Sequence, residues 1–209
     1  MPILDDLKWR YSTKKYLNKA ISDENIFIIL ESIRLSATSL GIQPFKVFIV
    51  EDKSVREHLK IASLNQSQIT EASHVLVFAA WTHIDDQMVD AYIHLIAKTR
   101  NEELVSLQSF KNMIIQFVKE KNSSEILEWT SKQTYIALGK AMLCAASLRI
   151  DATPMEGFDS QKVDTLLNFD AQGLHSSVIL ALGYRDATKD KLSHKAKVRR
   201  PASEFFESI

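Results

Sequence analysis

The chain has 209 residues, of which 45% are hydrophobic and 25% charged, as is typical of a globular domain with a sizeable core. Its 26 lysine and arginine residues balance 26 aspartate and glutamate residues, so no overall field would recruit nucleic acid or an acidic membrane. We therefore expect one domain spanning residues 1–209, with no nucleic-acid or membrane partner.

Cysteine content and the apolar segments indicate the compartment. The single cysteine, Cys144, excludes an internal disulfide and favours a reducing environment. The first ten residues include acids and no apolar run, unlike a signal peptide, and the longest apolar stretch, 75–81, is too short to span a bilayer. We expect a cytoplasmic protein.

The hydrophobic pattern predicts long helices and few strands. Helical spacing predicts helices at 2–9, 22–37, 53–62, 85–121 with a break near 100–101, 126–148 and 160–169. Runs of β-branched, aliphatic and aromatic residues predict strands at 45–50, 75–81 and 176–182, whereas 151–158 is expected to be a loop. These elements predict an α+β fold in which helices cover a mixed sheet.

Two segments predict close packing or a partner. The helix at 126–148 has a face of alanine, glycine and serine, so another backbone can approach it closely, and we expect it to be central or at a subunit interface. The polar and basic tail at 186–209 ends with Phe205 and Phe206. Two aromatic residues so near a terminus predict that the tail packs on another surface, such as a partner subunit.

A basic row, Arg-Tyr-Ser-Thr-Lys-Lys, occupies positions 10–15. If it is extended, Arg10, Ser12 and Lys14 face one way at intervals of about 7 Å, and Lys15 faces away into solvent. Such a row suits an elongated ligand with an anion at one end. The alternative is a solvated basic segment without a ligand.

A second basic cluster lies near the end of the chain. Lys195, Lys197 and Arg199 alternate, so they share one face if this segment is extended. If the cluster meets Arg10 across the fold, the cations surround one anion, as in a phosphate site. The alternatives are a solvated tail or a nucleic-acid contact, and the neutral net charge disfavours the latter.

The segment 152–159 contains a constrained turn. Pro154 and Gly157 bracket Met155 and Glu156, so the intervening backbone N–H groups could face a flat heterocycle. The alternative is a simple connection in which Asp159 caps the next helix.

Other catalytic motifs are absent. The six histidines have no metal-ligand spacing, so we expect no metal site. Glycine-rich nucleotide motifs are also missing, which gives no support to a Rossmann or Walker site. Cys144 lies among apolar residues and is expected to be a core residue rather than a nucleophile.

Six short motifs occur in a specific order along nearly the whole chain. They are Arg10-x-Ser12-x-Lys14, Ser36-Ala37-Thr38-Ser39-x-Gly41-x-Gln43-Pro44, Ala72-Ser73-His74, Glu128-Trp129-x-x-Lys132-Gln133, Pro154-x-Glu156-Gly157-Phe158-Asp159 and Lys197-x-Arg199. Together they resemble the FMN-dependent nitroreductase family, specifically its oxygen-insensitive NAD(P)H nitroreductase and dihydropteridine reductase branch.

The resemblance implies a mainly antiparallel sheet and an intertwined homodimer with two FMN sites at its interface. Residues 37–41 would reach each site from the other subunit. The implied cofactor-binding residues are Arg10, Tyr11, Ser12, Lys14, Ala37, Thr38, Ser39, Gly41, Asn65, Gln68, Gln133, Pro154, Met155, Glu156, Gly157, Lys197 and Arg199.

The resemblance also implies a role for each group. Arg10, Ser12, Lys197 and Arg199 would hold the FMN phosphate and ribityl chain. Lys14 would lie at the flavin N1 and O2 edge, where a cation favours the anionic reduced form. The backbone N–H groups of residues 156–157 would face N5 and O4, and Asn65 would bind the pyrimidine edge.

Two positions depart from the family pattern. Gln68 replaces a lysine near the flavin and nicotinamide, which predicts a flavin less biased toward the anionic reduced form. Leu40-Gly41 replaces a more polar Thr-Asn pair on the substrate face, so the family's nicotinamide contacts are not expected to carry over here.

The implied function is ping-pong hydride transfer from NADH or NADPH through FMN to nitroaromatic, quinone or pteridine-type acceptors. The cofactor carries the chemistry, so no protein acid or base is required. The alternatives are a flavin-destroying or dehalogenating enzyme of the same fold, or a non-enzymatic protein that binds flavin or nucleic acid.

Overall fold

The computed structural model describes residues 1–209 as helices packed on both faces of one sheet. The helices are α1 (Pro2–Trp9), α2 (Asp23–Arg34), α3 (Lys53–Ala62), α4 (Gln68–Glu71), α5 (Asp86–Arg100), α6 (Gln108–Lys119), α7 (Ser123–Ser147), α8 (Ser160–Leu167) and α9 (Ala202–Phe205). The strands are β1 (Phe45–Ile49), β2 (His74–Trp81), β3 (Asp151–Met155) and β4 (Leu174–Gly183). Short 3-10 turns lie at Ser39–Gly41, Leu104–Leu107 and Asp170–Gln172.

The sheet has the strand order β1-β2-β4-β3, and all three pairings are antiparallel. Alternation along β2 divides the core into two layers. Val75 and Val77 pack with residues of α3 and α8, whereas Leu76 and Phe78 pack with residues of α2 and α7. The α+β class and the helix-covered sheet predicted above are confirmed.

The small-faced helix α7 lies in the centre of the molecule. Its Ala137, Ala141 and Ala145 are fully buried against α2 and the sheet. Asn122 and Glu125 form a reciprocal capping box at its N-terminus, which satisfies two backbone N–H groups. The central position was one of the two predicted for this helix.

The predicted loop at 151–158 was wrong for its first five residues, which form strand β3. The segment contains polar residues and a proline, which are uncommon in strands, so the sequence pattern did not predict a strand there. β3 is an edge strand, where a proline is tolerated because one side of the strand needs no ladder hydrogen bond. The polar side chains are satisfied, since Asp151 binds Arg185 and Thr153 accepts a hydrogen bond from Tyr16.

Smaller differences concern helix ends. The break predicted near 100–101 is present, and Asn101 ends α5 in the left-handed conformation at φ 56°. Helix α8 ends at Leu167, two residues before the predicted end, and Asn168 follows it in the same left-handed conformation at φ 53°. Helix α2 stops at Arg34, so 37–41 belongs to a turn. None of the helices combines the length and apolar character that crossing a membrane requires.

Candidate functional site

A cavity of about 470 Å³ brings the two basic segments together. One wall comes from residues 8–12 at the end of α1, and the other from 192–199 near the C-terminus. The lining includes the predicted residues Arg10, Tyr11, Ser12, Lys197 and Arg199. Arg10 and the second basic cluster thus line the same cavity.

The cations in this cavity lack sufficient counter-charge. Burial, and next the nearby Arg199, lower the pKa of Arg10, although an arginine stays protonated. Burial, and then Arg10 and Arg199, likewise lower the pKa of Lys197. Burial and mutual repulsion both disfavour the cationic forms, so an anion among these groups would stabilise them.

Arg10 also has an unused donor. Its Nη2 donates to Ser12 Oγ at 3.4 Å, but its Nε is buried and has no hydrogen-bond partner. Buried polar atoms without partners are rare in native proteins, and one at a cluster of cations indicates a missing anionic ligand. The residues present therefore fit the phosphate end of a phosphorylated cofactor.

Arg185 is a cavity residue that the sequence reasoning missed. Its Nε donates to Asp151 Oδ1 at 2.7 Å, and its guanidinium lies over the rings of Trp9 and Tyr11, 4.1 and 4.4 Å from their centroids. The pair with Asp151 and the stacked rings hold the guanidinium rigidly. A single arginine after a buried strand offers no local signal for this placement.

Asp190 is a second missed residue, and it holds the basic row in place. Its buried Oδ2 accepts hydrogen bonds from Thr13 Oγ1 at 2.6 Å, Lys14 N at 2.9 Å and Tyr11 Oη at 3.1 Å. Burial raises the pKa of Asp190, but these hydrogen bonds outweigh it and lower the pKa below its usual value. The carboxylate thus tethers the N-terminal segment to the C-terminal one.

Arg10, Ser12 and Lys14 do not share one face as expected, because the row forms no strand of the sheet and the consecutive residues Arg10, Tyr11 and Ser12 all line the cavity. Ser12 lines the cavity, Thr13 is fully buried and Lys14 is exposed outside the cavity lining. The prediction that Lys15 is simply solvated was wrong. Its Nζ pairs with Glu71 at 2.6 Å and donates to Ser67 Oγ at 3.0 Å.

The predicted turn at 154–157 lies beside the loop that contains Asn65. Gln66 Nε2 donates to the Gly157 carbonyl at 2.9 Å, and Leu64 and Asn65 both have a left-handed φ of 56°. Pro154 and Met155 belong to β3, so only Glu156 and Gly157 project beyond the sheet. Gln68 is buried, with 5% of its surface exposed.

A third group joins the turn at 38–41 to α7. Ser39 N donates to Gln133 Oε1 at 2.8 Å, and Tyr92 Oη donates to the Leu40 carbonyl at 3.0 Å. Gly41 has φ 74°, and a Cβ there would lie 2.3 Å from Tyr92 Oη, so a larger residue would be strained and would displace the Tyr92 side chain. Neither Ala37 nor any member of this group lines the cavity of the same chain.

Comparison with known proteins identifies the family. The sequence profile of the Nitroreductase family matches residues 7–184. The chain belongs to the nitroreductase family. It is 35% identical to a Staphylococcus haemolyticus protein provisionally named an NAD(P)H nitroreductase. That alignment spans 216 residues and covers 99% of this chain and 97% of the relative. It is 32% identical to the major NAD(P)H-flavin oxidoreductase of Aliivibrio fischeri, over 95% of this chain and 94% of the relative.

Solved structures share the nitroreductase fold. A nitroreductase family protein from Streptococcus pneumoniae superposes with a TM-score of 0.83 and 19% identity, covering 99% of both chains. A nitroreductase-type protein from Exiguobacterium sibiricum, solved in complex with FMN, has a TM-score of 0.83 and 16% identity over 99% of this chain and 97% of that one. The family match and these relatives make the chain an NAD(P)H-dependent oxidoreductase. FMN is the ligand found in the Exiguobacterium protein.

Proposed function

We propose that this nitroreductase passes electrons from NADH or NADPH to nitroaromatic, quinone or pteridine-type acceptors in two half-reactions that share one site. FMN, when bound, supplies the hydride-accepting centre. The observation that carries the proposal is the cavity where Arg10, with its unpartnered Nε, meets Lys197 and Arg199. These residues come from opposite ends of the chain and converge on one cavity.

The protein residues bind and orient the cofactor in this proposal. Arg10, Ser12, Lys197 and Arg199 hold the phosphate and ribityl chain, and Arg185 adds a guanidinium to the same cavity. Lys14, which is exposed beyond the cavity, stabilises negative charge on the redox edge. Asn65, Gln68 and the turn at 154–157 then bind the ring system.

We also propose that the complete site requires two copies of the chain. Gln133 and 38–41 form one joined group away from the cavity, so a second copy is needed to bring that group to the cofactor. Exposed apolar residues support this arrangement: Phe27 on α2, Leu35 directly after α2, and Phe205 and Phe206 in the tail are 59–72% exposed. The cytoplasmic setting expected above stays a prediction.

The test starts with the purified protein. We expect it to bind FMN, to bleach anaerobically with NADH or NADPH, and to recover its colour when a nitroaromatic or quinone is added. Initial rates at several acceptor concentrations should give parallel double-reciprocal lines, as a ping-pong scheme requires. A colourless protein that cannot be reconstituted with FMN, or one whose reduced flavin reacts with none of these acceptors, would contradict the proposal.

A further inference from the structure

The Glu156–Gly157 turn is held by a side chain on each side. From α7, the hydroxyl of Tyr135 donates to Glu156 Oε1 and lies 3.5 Å from the Ser177 carbonyl oxygen. From the loop after α3, Gln66 Nε2 donates to the Gly157 carbonyl at 2.9 Å. Two elements that are distant in sequence thus contact the turn, α7 through the Glu156 carboxylate and the loop after α3 through the Gly157 backbone.

The backbone of the turn presents two free donors. The N–H groups of Glu156 and Gly157 donate to no other group of the chain, whereas those of Phe158 and Asp159 do. The free donors come directly after the last paired residue of β3, Met155. A rigid turn with two free N–H groups is a preorganised donor site for an electron-rich ligand atom.

The contact between Tyr135 and Glu156 also restrains the negatively charged carboxylate of Glu156. Glu156 is exposed apart from its contact with Tyr135, so without the phenol its carboxylate could rotate freely. Burial, and then the hydrogen bond to Glu156, raise the pKa of Tyr135 to about 12. The phenol therefore remains protonated, and a donor, at every pH at which the protein would be assayed.

We propose that Tyr135 is a positioning residue that sets the reduction potential of the bound flavin by fixing the Glu156–Gly157 turn and engaging the Glu156 carboxylate. This inference rests on the proposed function, because it takes the free N–H groups to donate to FMN. A well-oriented donor favours the addition of electrons to a nearby ring, and the hydrogen bond from the phenol partly offsets the opposing field of the Glu156 carboxylate. Removal of the phenol should therefore make the potential more negative.

Two variants and a control test the proposal. In FMN-loaded Tyr135→Phe, we expect a more negative midpoint potential, and reduction by NADPH that is slower by about tenfold, as for the loss of one charge-assisted hydrogen bond. Glu156→Gln retains an oxygen that can accept from the phenol but removes the charge, so its potential should become more positive. Tyr184→Phe, a hydroxyl deletion near Lys19 and away from the turn, should match the wild type.

The outcomes are distinguishable by redox titration with a reference dye. A Tyr135→Phe protein that holds FMN with the wild-type potential overturns the inference. If Tyr135→Phe does not fold, Glu156→Gln carries the test, and an unshifted potential overturns the inference in that variant also. A wild-type protein that does not hold FMN contradicts the proposed function itself.

Discussion

Arg10 and Lys14 lie in one short segment but in different surroundings. Arg10 lines the cavity with a buried, unpartnered Nε, whereas Lys14 is exposed beyond it. We therefore propose that Arg10 serves cofactor binding and Lys14 serves redox tuning. Arg185 and Asp190 support the segment from the other end of the chain, the first through stacking on Trp9 and Tyr11 and the second through hydrogen bonds.

Substitution of these two cations should have opposite effects. Arg10→Ala should raise the Kd for FMN by about tenfold to a hundredfold, the loss of a charged hydrogen bond, with little change in potential. Lys14→Met should lower the midpoint potential by roughly 30 mV, which is about 1.4 kcal/mol for a two-electron couple, with little change in Kd. Fluorescence titration and spectroelectrochemistry measure the two quantities, with Lys60→Met on α3 as the control. The reverse pattern would refute the division of roles.

The Asp190 carboxylate should make stability dependent on pH. Its folded pKa is lowered, so its contribution is present above the unfolded pKa of about 3.9 and is lost as the pH falls through the folded pKa. Asp190→Asn should lower the free energy of unfolding at pH 7 by about 1–3 kcal/mol. Urea unfolding at pH 7 and pH 3 measures the difference, which should shrink at pH 3. Asp170→Asn, an exposed aspartate, is the control, and a difference independent of pH would exclude this role.

At the scale of elements, β3 and α7 position the site. β3 ends at Met155, so the Glu156–Gly157 turn projects from the sheet edge, and α7 supplies Tyr135 beside it. Helix α7 comes close to the sheet because its inner face consists of alanines that are fully buried. The distance between helix and sheet is thus set by side-chain size.

Enlarging that face should displace the helix. Ala141→Leu inserts three carbon atoms into a fully buried contact and should cost about 1–3 kcal/mol of unfolding free energy. Lys140→Leu places the same side chain on an exposed position of the same helix and should be nearly neutral. Chemical denaturation measures both variants. Equal stability of the two would show that the small face is not required for packing.

For the whole molecule, the proposed dimer explains apolar residues that the single chain leaves in solvent. Phe205 and Phe206 contact each other edge to face, with their ring centroids 5.0 Å apart. Their side chains are nevertheless 59% and 72% exposed. The turn at 38–41, with Gln133, is likewise separated from the Arg10 cavity of its own chain. Both features follow if a second copy covers the tail and completes the site.

Removing the two aromatic residues should weaken the dimer. Phe205→Ser combined with Phe206→Ser deletes large apolar surfaces, so the dimer should dissociate at a higher protein concentration than the wild type. Light scattering across a dilution series measures the molecular mass. Val105→Ser, an equally exposed apolar position after α5, should leave the mass unchanged. A wild-type protein that is monomeric at all concentrations would contradict the proposed assembly.

The sequence by itself determined the helices, the buried strands, both basic segments and the family resemblance, because these depend on local periodicity and on residue types at short spacing. Only the tertiary structure decided that β3 is a strand, since its edge position tolerates Pro154 and distant partners satisfy its polar side chains. The same holds for Arg185 in the cavity and for Asp190, whose contact with Thr13 joins residues 177 positions apart. Contacts between such distant residues leave no pattern in a single sequence, because folding alone brings the two segments together.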